Sequence, residues 1–194
     1  MSLKKDELND LDIEKIKIIL GRKRYQHTKL VLKAALRLAE NMELNLKKIK
    51  NAALLHDIAK SKKEAELKEI LKNSKWEPDQ LELEITPVLH APAGAVIAEN
   101  EFGVNDYDVL EAIRYHTLGH PEMGKVAQVI YAADFISEDR DFAGLKEIRQ
   151  EIERDFESGL YLITNHIIKY QLKLDNYVHP YSNDFRNKLL KRSD

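Results

Sequence analysis

A histidine and an aspartate stand side by side where a buried helix ends, in Ala52-Ala53-Leu54-Leu55-His56-Asp57-Ile58-Ala59-Lys60. Ile49, Ala52, Ala53 and His56 follow the i, i+3, i+4, i+7 spacing of one helical face, so the last member of the apolar stripe is a histidine. Burying the neighbouring carboxylate in ionised form is costly unless something pairs with it. A metal ion is one such partner. A core histidine followed by a helix-end aspartate is the plainer account, and the pair alone does not decide between them.

The pattern recurs along the chain. Val109, Ala112, Ile113 and His116 repeat the +3, +4, +7 spacing. His27 lies three residues before Leu30 and four before Val31, extending their stripe at its N-terminal end. Asp134 is four after Ile130, near the apolar side of its helix, and His90 sits at a proline-bounded helix start. A carbonyl-bonded core histidine explains any one of these. Six such groups left unpaired would cost more than a typical total stability of about 5–15 kcal/mol. If they converge, a cation resolves the cost by neutralising the carboxylates and taking imidazole lone pairs.

The donor types limit the metal. With no cysteine in the chain, a closed thiolate zinc site is excluded. Mixed imidazole and carboxylate ligands suit iron, manganese, zinc or cobalt at a catalytic centre, where a bound water becomes acidic and a phosphoryl oxygen is polarised. Lys60 is four after His56 and three after Asp57, which on a continuing helix places it on their side as a phosphate-holding cation. It equally complements a helix C-terminus. Arg24, three before His27, can reach the same region or remain a solvated arginine in Arg22-Lys23-Arg24.

Helices have to position these groups. Period-two Val/Ile/Thr runs are missing, and glycine and proline are few, so the chain reads as all-α. Asp10 or Asp12 caps a first helix to about Leu20, which Gly21 ends. Further helices are expected at about 24–43, 45–60, 63–73, 79–84, from His90 to Gly103, 106–118, 123–137, 145–156, 158–173 and 183–191. Residues 1–9 are expected to be frayed. The length of 194 residues suits one domain, and no linker or repeat marks a second. A net charge of −2 offers no general basic field for nucleic acid. No apolar run reaches the roughly 20 residues of a membrane span, and the charged N-terminus is not a signal peptide, so a cytoplasmic protein is expected. The oligomeric state is left open, a homodimer included.

Taken together, Arg24-Tyr25-Gln26-His27-Thr28, Leu55-His56-Asp57-Ile58-Ala59-Lys60, Leu89-His90-Ala91-Pro92-Ala93-Gly94-Ala95, Ala112-Ile113-Arg114-Tyr115-His116-Thr117-Leu118-Gly119 and Ala132-Ala133-Asp134-Phe135-Ile136 resemble the HD-domain superfamily of metal-dependent phosphohydrolases. With His179-Pro180 and Arg186-Asn187, they look more closely like its YqeK-type bacterial family, from about residue 11 to residue 191. The resemblance implies a compact HD-domain helical bundle that hydrolyses diadenosine tetraphosphate symmetrically to two ADP by metal-activated water. It implies His27, His56, Asp57 and Asp134 as metal ligands, with iron the first expectation. His90 and His116 are implied as ligands of a second metal or as phosphate contacts, and Lys60, Thr117 and Arg140 as further phosphate contacts. Asp57 and Lys60 are the residues expected to act in catalysis. Tyr177, His179, Pro180 and Tyr181 resemble the family's base pocket, although the residues alone read as a helix connection. His120 stands where the family usually carries arginine, and could touch phosphate with a charge only below about pH 6.5. Rival readings are an HD-type nucleotidase acting on other nucleotides or in NAD metabolism, a nucleotide-binding regulator without turnover, and a purely structural bundle.

Overall fold

Amphipathic helices of this kind cannot bury their apolar stripes alone, and the chain solves this by stacking helices on helices. The computed structural model describes residues 11–40 and 42–191. Among them are helices α1 (Ile13–Ala39), α2 (Leu46–Leu55), α3 (Glu64–Leu71), α4 (Gln80–Glu84), α5 (His90–Phe102), α6 (Tyr107–Tyr115), α7 (Lys125–Ile136), α8 (Leu145–Arg154), α9 (Phe156–Lys173) and α10 (Pro180–Leu190), with a 3-10 turn at Thr86–Val88 and no strand. The all-α expectation holds. None of these helices is long and apolar enough to cross a membrane. The expected fraying of residues 1–9 and an Asp10 cap fall outside the described residues.

The centre is built from α1, α2, α6 and α7, with α1 against α2 and α7, and α6 against α2, α5 and α7. Their facing positions are small or β-branched. Ala35, Ile49, Ala52, Ala53, Ala112, Ile113, Ile130 and Ala133 are fully buried. Small side chains let the helix ends come close, and these are the ends that carry histidines. Gly94 on α5 serves the same purpose: a Cβ there would lie 3.1 Å from the Ile113 side chain and 3.6 Å from the His56 carbonyl oxygen. Helices α8, α9 and α10 cover the α7 side.

Three boundaries differ from the sequence expectation. Asp12 caps α1 by accepting from Lys15 N–H. Gly21, at φ 68° and ψ 168°, kinks the helix without ending it, so the expected first two helices form one element. Helix α2 stops at Leu55, and residues 56–62 continue as tight turns, with Ile58 N–H bonded to Leu55 O at 3.0 Å and Lys60 N–H to Asp57 O at 2.9 Å. The α-helical spacing argument for Lys60 therefore does not hold, because the helix has ended before it. Finally, α10 begins at Pro180 rather than 183, since proline favours the first helical position and His179 caps it.

Candidate metal centre

Three histidines at the ends of different helices share one local device. His56 follows the last residue of α2, His116 follows the last residue of α6, and His90 opens α5. In each, Nδ1–H donates to the carbonyl three residues earlier: His56 to Ala53 at 2.7 Å, His116 to Ile113 at 2.8 Å and His90 to Pro87 at 2.7 Å. A helix end leaves such carbonyls without partners, so the histidine satisfies one and is itself oriented. His27, inside α1, instead donates Nδ1–H to Asp139 at 2.8 Å. These bonds fix the tautomer: all four rings keep Nε2 as a lone pair.

The four Nε2 atoms surround one carboxylate. Asp57 Oδ1 lies 3.2 Å from His90 Nε2 and 3.6 Å from His116 Nε2. Its Oδ2 lies 3.5 Å from His56 Nε2 and 3.9 Å from His27 Nε2. Asp134 Oδ1 approaches His27 Nε2 at 3.1 Å. Two triads able to hold a metal result, His27–His56–Asp57 and Asp57–His90–His116, sharing Asp57. All five residues are buried.

This donor set fits a divalent cation. The Nε2 atoms of His27 and His56 are buried and make no hydrogen bond, a cost that coordination removes. His90 and His116 present Nε2 to Nε2 at 3.1 Å, and two lone pairs at that separation repel unless a proton or a metal ion shares them. Burial pushes His56 down, and burial, which outweighs the bond to Asp57, pushes His90 down to about 4 with Lys60 adding to it, so both rings keep their lone pairs at neutral pH. Burial pushes Asp57 up, but His56, His116 and His90 outweigh it and hold the carboxyl well below its usual range. Burial is likewise outweighed at Asp134, lowered by the adjacent His27 ring and by His56 and Arg140. At His27, burial is outweighed by Asp134 and Asp139, and the pKa rises: the carboxylates favour a cation at this position.

Cationic side chains ring the carboxylates. Arg24 donates to Asp57 Oδ2 at 2.8 Å, and Arg140 to Asp134 Oδ1 at 2.6 Å. Lys60 Nζ reaches His90 Nε2 at 3.2 Å, so the turn after α2 delivers it to the centre despite the helix ending early. Burial pushes its pKa down. Beside the centre lies a cavity of about 720 Å³, lined by Thr117, which follows His116, by Pro87, whose carbonyl holds His90, and by Tyr177 and His179. Pro180 and Tyr181 form the first turn of α10 instead. His120 is absorbed into an aromatic cluster: its ring stacks on Tyr115 at 4.5 Å and meets Tyr181 edge-on at 4.7 Å, while Nδ1 accepts from Glu122 N–H. Burial pushes its pKa down, which opposes the expected phosphate-binding charge.

Sequence reasoning missed Asp139, which orients His27. Its signal was faint, one of two acidic residues in Ser137-Glu138-Asp139-Arg140, five after Asp134. It also missed Asp79, Glu82 and Arg114. Glu82 and Arg114 form a buried two-pronged ion pair, 2.6 Å in each arm.

Comparison with known proteins agrees with this geometry. The HD domain family matches residues 24–139, a span holding all six candidate ligands with Arg24, Lys60 and Asp139. The chain is 39% identical over 166 residues to a symmetrical bis(5'-nucleosyl)-tetraphosphatase of Bacillus subtilis, covering 85% of this chain and 88% of that one. It is 32% identical over 178 residues to the protein of that name from Halalkalibacterium halodurans, covering 92% and 95%. The crystal structure of a predicted HD superfamily hydrolase involved in NAD metabolism from Clostridium acetobutylicum superposes with a TM-score of 0.88 at 32% identity, covering 93% of this chain and 95% of that one. With its histidines and aspartates gathered as described, the chain belongs to the HD-domain family, alongside the symmetrical bis(5'-nucleosyl)-tetraphosphatases.

Proposed function

We propose that this chain, folded as one HD domain, hydrolyses diadenosine tetraphosphate symmetrically to two ADP. The observation that carries the reading is the shared carboxylate, Asp57, with two imidazole lone pairs on each of its oxygens. Together with the relatives' activity it supports two adjacent ions, one held by His27, His56, Asp57 and Asp134, the other by Asp57, His90 and His116. A divalent cation here supplies Lewis-acid polarisation of a phosphoryl oxygen and lowers the pKa of water. Iron is the first choice for this donor set, with manganese, cobalt and zinc as alternatives.

The chain's own residues supply the rest. Lys60, Arg24 and Arg140 converge on the centre and can hold phosphate oxygens as negative charge builds on them. The 720 Å³ cavity beside Thr117 is of a size to take one nucleoside arm. Symmetrical products require the central phosphoanhydride at the metal, so the cavity must measure out one ADP from it. Buried walls around His56, His90 and His116 keep bulk water away from the donors.

A product assay with diadenosine tetraphosphate across iron, manganese, cobalt, zinc and magnesium tests this. Two ADP are expected. AMP plus ATP would exclude symmetrical cleavage. A second reading, a nucleotidase acting in NAD metabolism, draws on the Clostridium acetobutylicum structure, and phosphate release from mononucleotides would favour it.

A further inference from the structure

His179 lines the cavity, yet its ring is fully committed elsewhere. Nδ1 accepts from Tyr181 N–H at 3.2 Å, capping α10. Nε2 therefore carries the proton, and donates to Asp79 at 3.0 Å. Asp79 in turn caps α4 by accepting from Glu82 N–H at 2.9 Å, and Glu82 returns a bond from its carboxylate to Asp79 N–H at 3.0 Å. The same Glu82 carboxylate takes both arms of Arg114, two residues before His116. His179, Glu82 and Arg114 are all buried. A second tie runs parallel, as Ser182 Oγ–H donates to Leu118 O at 2.7 Å.

The cluster Asp79–Glu82–His179 has the residue types of a metal site. Its bonding excludes that role: one ring nitrogen accepts from Tyr181 N–H, the other carries the proton given to Asp79, and every carboxylate oxygen already has a donor. What the cluster joins is more informative. One end is the helix that presents His116. The other is the segment Asp175–His179, which forms one wall of the cavity and holds the exposed Tyr177 at its side. The end of α4 and the turn that follows it line the same cavity through Glu84, Ile85, Pro87 and Val88.

We propose that Asp79, with the buried pair Glu82 and Arg114 behind it, forms a relay that positions His179, and thereby sets the nucleotide cavity at a fixed distance from the metal centre; His179 is a positioning residue and not a contact to the base. This rests on the hydrolase reading above. A relay of this kind acts on how well the nucleotide is held, while the groups around Asp57 act on the chemistry. It separates KM from kcat.

The test uses the full chain, loaded with whichever metal gives turnover, and reads kcat and KM for diadenosine tetraphosphate and inhibition by ADP. Asp79→Ser keeps an N-cap oxygen for α4 but is too short to reach His179. It is expected to raise KM and the ADP inhibition constant about tenfold, as loss of one charge-assisted hydrogen bond allows, with kcat within about twofold. Asp79→Asn, which caps and still accepts from His179, is expected to stay within about threefold of the parent KM. His179→Ala, which also removes the α10 cap, should raise KM at least as much as Asp79→Ser, and the double variant should be no worse than His179→Ala. A raised KM in His179→Ala with an unchanged KM in Asp79→Ser would overturn the relay, since His179 would then act without Asp79. So would a fall in kcat at constant KM. Parent protein that releases no ADP from diadenosine tetraphosphate would instead overturn the hydrolase reading itself, and the relay with it.

Discussion

Two clusters in this molecule are built from the same residue types and end in opposite chemistry. Around Asp57, histidines spend Nδ1 on a carbonyl or carboxylate and leave Nε2 lone pairs facing one another. Around Glu82, His179 spends its lone pair on a backbone N–H and turns its proton to a carboxylate. The first cluster is short of positive charge at its centre and needs a cation; the second has matched each acceptor with a donor and needs nothing. Residue type does not distinguish them. What does is which ring nitrogen the backbone claims.

Substitutions can break that contrast from either side. The largest effect is expected at Asp57. Asp57→Ala removes the ligand both triads share, and outer-shell losses alone already cost about 10–100-fold in metal affinity or activity. Turnover should fall below detection while the far-ultraviolet circular dichroism stays that of a helical protein. A variant retaining even a tenth of the parent rate would show that the carboxylate is not central. Glu82→Ala should do the reverse. It strands a buried Arg114 without a partner, which costs about 3–5 kcal/mol. For a chain of this length that lowers Tm by about 10 °C or more, with kcat of the folded fraction kept. Equal loss of kcat in both variants would erase the distinction between the clusters. A smaller effect is expected at Asp139, which touches His27 only from behind. Asp139→Ala should weaken metal binding about 10–100-fold, measured by metal titration of the chelated protein, and be overcome by excess metal.

The first cluster was legible in the sequence because His56 and His116 close apolar helical stripes and His27 extends one, and burial of that many polar groups demands a reason. Even the bland reading was half right: His56, His90 and His116 are each satisfied by a carbonyl, at one nitrogen. The helices were legible from periodicity, apart from their ends. The α2 terminus was misplaced because His56 bonding back to Ala53 closes the helix at Leu55, a side-chain event that periodicity does not encode. Lys60 reached the centre by turns instead of helix. The second cluster was not legible. Asp79 and Glu82 on α4, Arg114 on α6 and His179 before α10 come from three segments spread over a hundred residues, and a capping residue, a helical glutamate and a helical arginine each look like ordinary surface charge. The aromatic setting of His120 was hidden for the same reason: its partners Tyr115 and Tyr181 are brought to it by the fold.

The smallest expected effect isolates the charge of the second cluster without any substrate. Burial pushes the Asp79 carboxyl up, but the Glu82 N–H and the His179 N–H outweigh it, so its pKa lies below the ordinary 3.8. A depressed carboxylate contributes stability that is fully present above its ordinary value and is lost as pH falls through the folded one. Asp79→Asn keeps the cap and the acceptor and removes only the charge, and Glu82 and Tyr181 beside it are common to both proteins. The parent should therefore melt slightly higher than Asp79→Asn at pH 5 to 7, the gap staying constant there and narrowing once the pH drops below 3.8. With the Asp79 side chain 41% exposed, solvent screens the pair and the gap should be small. A gap that widens towards acid would mean that the carboxylate is strained by its burial and not held by His179, and the second cluster would then lack the matched donors that set it apart from the first.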